Sequence, residues 1–540
     1  MSAPDWLVLI STLCVIILYG IYKSRTSKNL EGYFLSNRSM PWYLVLLGIM
    51  GTQASAITFL SAPGQAFTDG MRFVQYYFGL PLAMIVICIF FVPLFSKLKV
   101  YTAYEFLESR FDLKTRTFTS FLFQLSRGLS TGISIYAPSL ILSSLLNWNI
   151  HYTNMLMGGL LIIYTVSGGA RAVAYTQKLQ LLIIVTGMVL AGYMVVHLMP
   201  ANVGFIDALQ SGGRSGKMNI ITSGMSGNGF DWKDKYNIWS GVIGGFFLAL
   251  SYFGTDQSQV GRYLTAKSNR ESKIGLLMNG LVKVPMQFLI LLIGVLVFSF
   301  YQYHKAPIYF NATQVALAKD TPYKDSLVNI ENRYQAIPSQ RSPETDSLKL
   351  QYKRILKKAL PSQDVNDTNY IFLRFVIDFL PKGLVGLLIA VIFLAAWGSI
   401  AAALNALASC TVCDIHKKFI HKDLTPQMDY RISRIYTLCW GIFSVIVAES
   451  ASNLGNSLIE TVNILGSLFY GVILGIFLVA FCLKKIQGSA TFYSAILSEI
   501  IIIIIYRKDI ISFLWLNVIG ALLVIGIALV LQPFFRKRTV

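Results

Sequence analysis

Thirteen apolar runs divide this sequence, and each is long enough to cross about 30 Å of hydrocarbon as a helix. The runs lie at about residues 5–23, 41–64, 74–96, 117–147, 149–168, 172–199, 236–262, 273–304, 371–414, 430–450, 455–483, 489–506 and 511–534. Of the 540 residues, 54% are hydrophobic and only 13% are charged, unlike an ordinary soluble domain. Because lipid cannot satisfy free backbone groups, the runs predict an all-α polytopic membrane protein with about thirteen transmembrane helices.

The distribution of Lys and Arg among the short loops predicts the orientation of the chain. Basic residues recur in alternate loops, for example at Lys97, Lys99 and Arg262, and again in the tail at Arg536 and Arg538. Cytoplasmic loops retain such residues, so we expect the N-terminus outside, the C-terminus in the cytoplasm and the protein in the plasma (inner) membrane. The same dispersal explains the net charge of +20 without nucleic acid, which would require one basic face. The lipid bilayer is the expected partner, and the oligomeric state stays open.

Two stretches between the apolar runs are not membrane-like. Residues 200–235 are rich in Gly, Ser and Asn and are predicted to form an outer loop. Residues 305–370 are longer and charged, with a helical pattern near 347–358, and are predicted to form an external insertion. A lid over the entrance and a passive insertion both explain this segment, and the passive insertion is favoured.

Small and hydroxyl-bearing residues interrupt the second apolar run between Gly51 and Gly64, and a similar interruption, Gly254–Gln257, lies in the seventh run. A helix broken at membrane depth is tolerated only where it lines a cavity or coordinates a polar group, so we expect the chain to move a solute or an ion. The broken helices cross the membrane in opposite directions, as two inverted five-helix repeats require. Within a single transmembrane domain, 1–540, we expect repeats at 41–199 and 236–483, an extra helix at 5–30 and two extra helices at 489–534.

Arg127, Lys283 and Asp256 lie inside apolar runs and require an explanation, because a charge in hydrocarbon is costly. The guanidinium of Arg127 suits a bidentate grip on a substrate carboxylate and equally suits an ion pair with an internal acid. Lys283 either contributes to the substrate cavity or pairs with a backbone carbonyl that the nearby Pro285 frees. The second, structural role is favoured. Asp256 is expected to belong to an inner network with Arg262. A role in gating or structure is favoured over contact with the substrate.

Four segments carry a family resemblance: Ser55–Gly64, Gly168–Thr176, Asp256–Leu264 and Ala395–Asp414. In this order and spacing they resemble the sodium/solute symporters, the group that includes sugar, proline, sialic acid, iodide and monocarboxylate transporters. The resemblance extends from about residue 5 to 534 and implies a LeuT-type fold with a 5+5 inverted repeat. It also implies a Na⁺ ion between the second and ninth spans. The implied ligands are the carbonyls of Gly51, Ala54 and Ala395 and the hydroxyl of Ser399, oxygen donors that suit a hard cation.

The chain departs from that family at several positions of the implied ion site. Gly398 stands where relatives commonly have a hydroxyl residue next to Ser399, and Gln177 stands where many have Asp. Ala401 and Ala402 lack hydroxyls for a second sodium site. These departures favour at most one coupled Na⁺ and leave weak coupling, proton coupling and facilitated diffusion open. The small residues around Ser399 also fit simple close packing of helices.

The expected substrate contacts combine amide, hydroxyl, guanidinium and aromatic side chains, which suit a small hydroxylated or zwitterionic solute. They are Gln53, Thr58, Phe73, Tyr77, Arg127 and Gln257. The sequence therefore predicts a secondary active transporter that couples Na⁺ to the uptake of a sugar acid, a sugar or a carboxylate by alternating access. A proton-coupled or uncoupled transporter is the alternative, and a membrane sensor or scaffold is less favoured. The sequence contains no recognisable catalytic cluster, so an enzyme is not expected.

Overall fold

The computed structural model describes residues 1–24, 30–146, 148–227, 229–337, 343–421, 425–451 and 457–535, so the basic tail at 536–538 lies outside the described residues. The helices are α1 (Ala3–Ser24), α2 (Leu30–Leu35), α3 (Trp42–Gln53), α4 (Ala56–Asp69), α5 (Leu80–Val86), α6 (Val92–Leu98), α7 (Glu105–Arg110), α8 (Leu113–Leu146), α9 (Ile150–His197), α10 (Phe205–Arg214), α11 (Gly245–Gly254), α12 (Gln257–Tyr263), α13 (Asn269–Tyr303), α14 (Ala312–Lys319), α15 (Lys324–Ala336), α16 (Pro343–Ala359), α17 (Ile371–Phe379), α18 (Leu384–Cys410), α19 (Lys417–Phe419), α20 (Pro426–Glu449), α21 (Leu458–Cys482), α22 (Gly488–Arg507) and α23 (Phe513–Phe535). A short antiparallel hairpin, β1 (Met225–Ser226) and β2 (Gly229–Phe230), lies in the 200–235 loop.

The predicted all-α membrane fold is confirmed by the helical lengths. In the described ranges, ten helical segments are long and apolar enough to cross a membrane. Three further apolar helices, Trp42–Gln53, Ile150–Val166 and Ser240–Gly254, are shorter. The count of thirteen full-length spans stays a prediction.

Both predicted helix interruptions are present. The first lies at Ala54 and Ser55, where the backbone turns extended (φ −85°, ψ 169° at Ser55) between α3 and α4. The second lies at Thr255 and Asp256, where Asp256 is extended (φ −75°, ψ 117°) between α11 and α12. The structure thus has two broken helices, each with a non-helical dipeptide inside an apolar span.

Two predicted spans differ from the structure. The run 371–414 is not one helix, because α17 ends at Phe379 and Gly383 adopts a positive φ of 89° before α18 begins. The run 74–96 starts as a 3₁₀ segment, Gly70–Tyr77, and continues through α5, a π-helical segment at Ile87–Phe91, and α6. Hydropathy measures apolar length and is blind to such changes of backbone winding.

Helix α9 covers two predicted spans, 149–168 and 172–199, but it is not a straight rod. The Tyr164 and Thr176 hydroxyls lie 2.8 Å apart although 12 residues separate them. A straight α-helix would place residues at that spacing about 18 Å apart along its axis. The distance between the two hydroxyls therefore excludes one straight rod from Tyr164 to Thr176.

Helix α18 forms the centre of the bundle, and nearly all its residues from Val385 to Cys410 are buried. It packs against α1, α8, α9 and α20. At its start, the Asp5 carboxylate accepts hydrogen bonds from the backbone N–H groups of Gly383 (2.6 Å) and Gly386 (3.4 Å). A carboxylate satisfies the free N–H groups of a helix N-terminus, so this contact anchors α1 on α18.

The 305–370 insertion contains helices α14, α15 and α16, and α16 includes the helical pattern predicted near 347–358. It has its own small apolar core, which includes Leu327, Tyr334 and Tyr352. Its last segment docks on the transmembrane bundle: Asn369 Oδ1 accepts a hydrogen bond from the Leu458 N–H (3.2 Å), at the start of α21. The insertion is therefore a folded unit attached beside α4, the second half of the first broken helix.

Candidate functional site

A cavity of about 110 Å³ lies beside the first helix break. Its walls come from both sides of that break and from α5, α8, α11 and α21. The lining residues are Gln53, Ser55, Ile57, Thr58, Tyr76, Tyr77, Leu80, Arg127, Gly245, Leu248, Ala249, Tyr252, Phe253, Ile459, Val462, Asn463, Gly466 and Tyr470. A cavity of this size holds several water molecules and so admits a polar ligand.

Four of the six predicted substrate contacts line this cavity: Gln53, Thr58, Tyr77 and Arg127. Phe73 does not, because it is fully buried behind the wall, where its ring stacks on Tyr76 with centroids 5.5 Å apart. Phe73 thus supports two aromatic residues of the wall, Tyr76 and Tyr77, from behind.

Gln257, the sixth predicted contact, is placed elsewhere. Its Oε1 accepts a hydrogen bond from the Ala103 N–H (3.0 Å), and its Nε2 donates to the Tyr101 carbonyl (2.8 Å). Both ends of the amide are used to fix α12 to the connection between α6 and α7. In this conformation Gln257 therefore has a structural role and does not reach the central cavity.

Arg127 is paired with an acid, which is one of the two alternatives that its sequence position allows. Its guanidinium forms an ion pair with Asp256 and donates a hydrogen bond to the Tyr470 hydroxyl (2.9 Å). The Tyr470 hydroxyl in turn donates to Asp256 (2.9 Å), and the guanidinium lies 5.3 Å from the centre of the Tyr252 ring. This network joins α8 and α21 to the second helix break.

The expected network of Asp256 with Arg262 is replaced by this pair with Arg127. The other carboxylate oxygen of Asp256 caps α12, since it accepts hydrogen bonds from the Ser258 N–H (2.8 Å) and hydroxyl (2.6 Å). Asp256 therefore holds the unwound dipeptide and the start of α12 in place. A buried carboxylate with four polar partners is a structural anchor.

Lys283 is buried on α13, and its ammonium lies 5.6 Å from the centre of the Tyr77 ring. Because Tyr77 lines the cavity, Lys283 stands one layer behind the wall. A cation over an aromatic face is electrostatically favourable, and the contact fixes the orientation of Tyr77.

The first helix break also touches α18, where the ion site is expected. A Cβ atom added to Gly398 would lie 3.4 Å from the Gly51 carbonyl oxygen, so α3 and α18 approach closely here. The Ser399 hydroxyl donates to the carbonyls of Ala395 (3.0 Å) and Ala396 (3.1 Å). Ala54 lies at the break itself. The structure thus brings Gly51 next to the stretch of α18 that contains Ala395 and Ser399.

Gln177 lies in this interface. Its Nε2 donates to the Gly398 carbonyl (3.2 Å), and its Cδ would lie 2.8 Å from a Cβ atom added to Gly51. Its Oε1 is buried and lacks a hydrogen-bond partner in the described part of the chain. Carbonyl, hydroxyl and amide oxygens form a neutral, hard donor set of the kind that suits Na⁺. The described residues contain no group of three or more His, Cys, Asp or Glu that could hold a metal.

The comparison with protein families decides what kind of protein this is. The model of the "Sodium:solute symporter family" matches residues 33–321 and 355–498. The chain belongs to the sodium:solute symporter family. It is a multi-pass membrane transporter that couples the movement of a small solute to Na⁺, and it is not an enzyme.

The relatives of this symporter match it over nearly its whole length. The sodium/sialic acid symporter SiaT of Proteus mirabilis (strain HI4320) is 25% identical, covering 98% of this chain and 95% of its own. The sodium/glucose cotransporter of Vibrio parahaemolyticus is 24% identical, covering 92% of this chain and 84% of its own. A solved structure, the substrate-bound outward-open state of a Na⁺-coupled sialic acid symporter, has a TM-score of 0.79 at 24% identity and covers 99% of this chain and 98% of its own. That likeness confirms the LeuT-type fold.

The cavity is also lined by residues that the sequence analysis did not predict. Tyr252, Asn463 and Tyr470 line the cavity, and Asn463 Oδ1 accepts a hydrogen bond from the Tyr76 hydroxyl (3.1 Å). Asn463 is an amide inside an apolar run, and a polar side chain at such a position indicates a polar site within the membrane. Tyr252 and Tyr470 carry no such signal, because tyrosines are common in membrane helices.

Proposed function

We propose that this symporter carries a hydroxylated solute of the sugar or sugar-acid class in the cavity beside Gln53. The observation that carries the proposal is that three buried atoms of lining residues, Gln53 Oε1, Arg127 Nε and Asn463 Nδ2, have no hydrogen-bond partner among the residues described. An unpaired buried polar atom costs about 1–3 kcal/mol, which a ligand recovers by pairing it. A hydroxyl group both donates and accepts, so a polyol pairs all three atoms.

The charge balance of the site supports a hydroxyl-rich solute over a simple carboxylate. Asp256 already neutralises the Arg127 guanidinium, so the cavity does not need an anionic ligand. The Nε–H of Arg127 remains as a single donor for one oxygen of the solute. Two relatives are named for sialic acid and glucose, which are both hydroxylated solutes.

The coupling ion is one Na⁺, held by the carbonyls of Gly51, Ala54 and Ala395 and the hydroxyl of Ser399. The bound cation would supply a positive charge that draws these oxygens together across the interface of α3 and α18. Gln53 and Ser55, on either side of Ala54, line the substrate cavity. The same unwound segment therefore serves the ion and the solute, and each should raise the affinity for the other by the same factor.

Alternating access requires two barriers, and hydrogen-bonded contacts suit both roles. At one end, the Ser457 hydroxyl donates to Gln65 (2.8 Å), linking α21 to α4. At the other end, Arg116 is buried and donates from Nε to Asp414 (2.9 Å), to which Thr102 also donates (2.8 Å). We assign the first end to the outside and the second to the cytoplasm.

That assignment places the N-terminus outside, the C-terminus in the cytoplasm and the 305–370 insertion on the outer face, in the plasma (inner) membrane. It keeps the inverted repeats at 41–199 and 236–483, with flanking helices at 5–30 and 489–534. Positive-inside topology supports it, since the short loops assigned to the cytoplasm carry Lys97, Lys99 and Lys417.

Uptake into proteoliposomes tests the proposal. The purified protein should accumulate a labelled sugar or sugar acid when Na⁺ is present outside and absent inside. Replacing Na⁺ with choline should abolish accumulation. Asn463→Ala should weaken the apparent solute affinity about tenfold, about 1.4 kcal/mol, because the new cavity lacks one donor. Unchanged accumulation in choline would contradict Na⁺ coupling, and preference for an unhydroxylated carboxylate would contradict the solute class.

A further inference from the structure

A second, larger cavity lies outside the central site, next to the insertion. Its volume is about 600 Å³, within the range of small-molecule sites and well above the 110 Å³ of the central cavity. One wall is the insertion, from Asn311 to Leu317 and from Ser362 to Tyr370. The opposite wall is formed by the end of α8, the start of α9 and the end of α20. We call this cavity the vestibule.

The insertion wall of the vestibule is held by internal hydrogen bonds. Gln314 Nε2 donates to the Asp364 carbonyl (2.9 Å), which ties the two insertion segments together. Asp367 accepts from the Phe310 N–H (2.9 Å) and from Lys353 (2.7 Å). A Cβ atom added to Gly64 would lie 2.0 Å from the Thr368 carbonyl oxygen, so this wall sits directly on α4. The vestibule is therefore a built surface between two packed units.

The side chains that line the vestibule suit a hydroxylated ligand. It combines aromatic rings with planar amides, namely Trp148, Tyr370, Asn149, Asn369 and Gln363. Amide groups donate and accept at once and so match neighbouring hydroxyls, while aromatic faces cover the apolar C–H surface between those hydroxyls.

The charges of the vestibule exclude a simple anion site. Its carboxylates are Asp364 and Glu449, and His151 is its basic residue, already in contact with Glu449. Two carboxylates, together with one histidine that already contacts Glu449, favour a neutral hydroxylated ligand over a ligand with a free carboxylate.

The vestibule is separated from the central cavity by the first turn of α21. Leu458 lines the vestibule, and its neighbour Ile459 lines the central cavity. The Leu458 N–H donates to Asn369, and the Ile459 N–H donates to the Ser61 hydroxyl (3.4 Å) on α4. A solute in the vestibule is thus next to the contact that must open for it to enter the central site.

We infer that the vestibule is a second binding site, for a neutral hydroxylated solute such as a sugar, which loads the central cavity. The inference rests on the proposed function for the ligand class alone. The insertion then forms one wall of a binding site. This role differs from both earlier alternatives, a lid over the entrance and a passive insertion.

Equilibrium binding to the purified full-length protein in detergent tests the inference, with radiolabelled glucose and sialic acid as probes at saturating Na⁺. We expect two binding phases for glucose. Trp148→Ala and Gln363→Ala should each remove the weaker phase, whereas Asn463→Ala should weaken the tighter phase about tenfold. Gln351→Ala, on an exposed position of α16 away from the vestibule, is the matched control and should change neither. Thermal unfolding of each variant verifies that the fold is retained.

The outcomes separate the two proposals. A single phase that Asn463→Ala weakens and Trp148→Ala spares would overturn the vestibule site and leave the proposed function standing. A single phase that Trp148→Ala abolishes and Asn463→Ala spares would support the vestibule and contradict the proposed central site. Absence of binding by both probes would overturn the vestibule site as stated.

Discussion

Gln177 donates a hydrogen bond to the carbonyl oxygen of Gly398 across 3.2 Å, which joins α9 to α18 beside the first helix break. Its Oε1 is left without a partner in the described ranges, although it is buried. This chain thus has a neutral amide that already spans the helix interface. The amide itself adds no charge to the site.

Gln177→Leu should weaken the apparent Na⁺ affinity about tenfold, about 1.4 kcal/mol, because it removes a neutral oxygen beside the ion. Gln177→Asp should strengthen it, because a carboxylate adds Coulombic attraction at short range. The measurement is the Na⁺ dependence of uptake in proteoliposomes. Equal Na⁺ dependence in the unmodified protein and both variants would show that Gln177 does not contribute to the ion site.

Ser399→Ala should lower the apparent Na⁺ affinity about tenfold and leave solute affinity at saturating Na⁺ nearly unchanged. The reason is the loss of one oxygen ligand. Ser409→Ala is the matched control, because the Ser409 hydroxyl makes a similar bond within α18, to the Ala406 carbonyl (2.9 Å). If both variants shift the Na⁺ dependence alike, the effect belongs to the helix and not to the ion site.

Arg127→Met should destabilise the protein by about 3–5 kcal/mol, because it leaves the buried carboxylate of Asp256 unpaired. Asp256→Asn combined with Arg127→Met should recover much of that loss, since neither charge then remains. Thermal unfolding in detergent measures both. A double variant no more stable than the single one would mean that the pair does not dominate the energetics of this site.

Gly64→Ala should destabilise the protein by about 1–3 kcal/mol, because the new methyl group would collide with the Thr368 carbonyl. Gly159→Ala is the control, since a Cβ atom added to Gly159 meets nothing within 4 Å. Alanine is the better helix former, so this control should be neutral or stabilising by up to about 1 kcal/mol. Equal melting temperatures for the two variants would refute close docking of the insertion on α4.

The sequence predicted the helix breaks well but the partners of the charged residues poorly. Gly, Ser and Thr inside an apolar run weaken the helix locally. The breaks at Ala54 and Asp256 could therefore be predicted from the sequence. The partner of Arg127 is 129 residues away along the chain, and hydropathy describes only short segments, so it cannot predict such a contact. The structure therefore supplies the partner that the sequence left open, and it also keeps Arg127 in the wall of the cavity.

The same distinction holds for the whole protein. Apolar length and the interrupted runs determined by themselves that the chain is a membrane protein with broken helices, because each reports how a short segment meets lipid or water. Only the tertiary structure decided that Gln257 faces the α6–α7 connection, that Asn463 faces the cavity, and that the insertion encloses a vestibule. Those facts depend on which faces of distant helices meet, and packing of the complete bundle sets them.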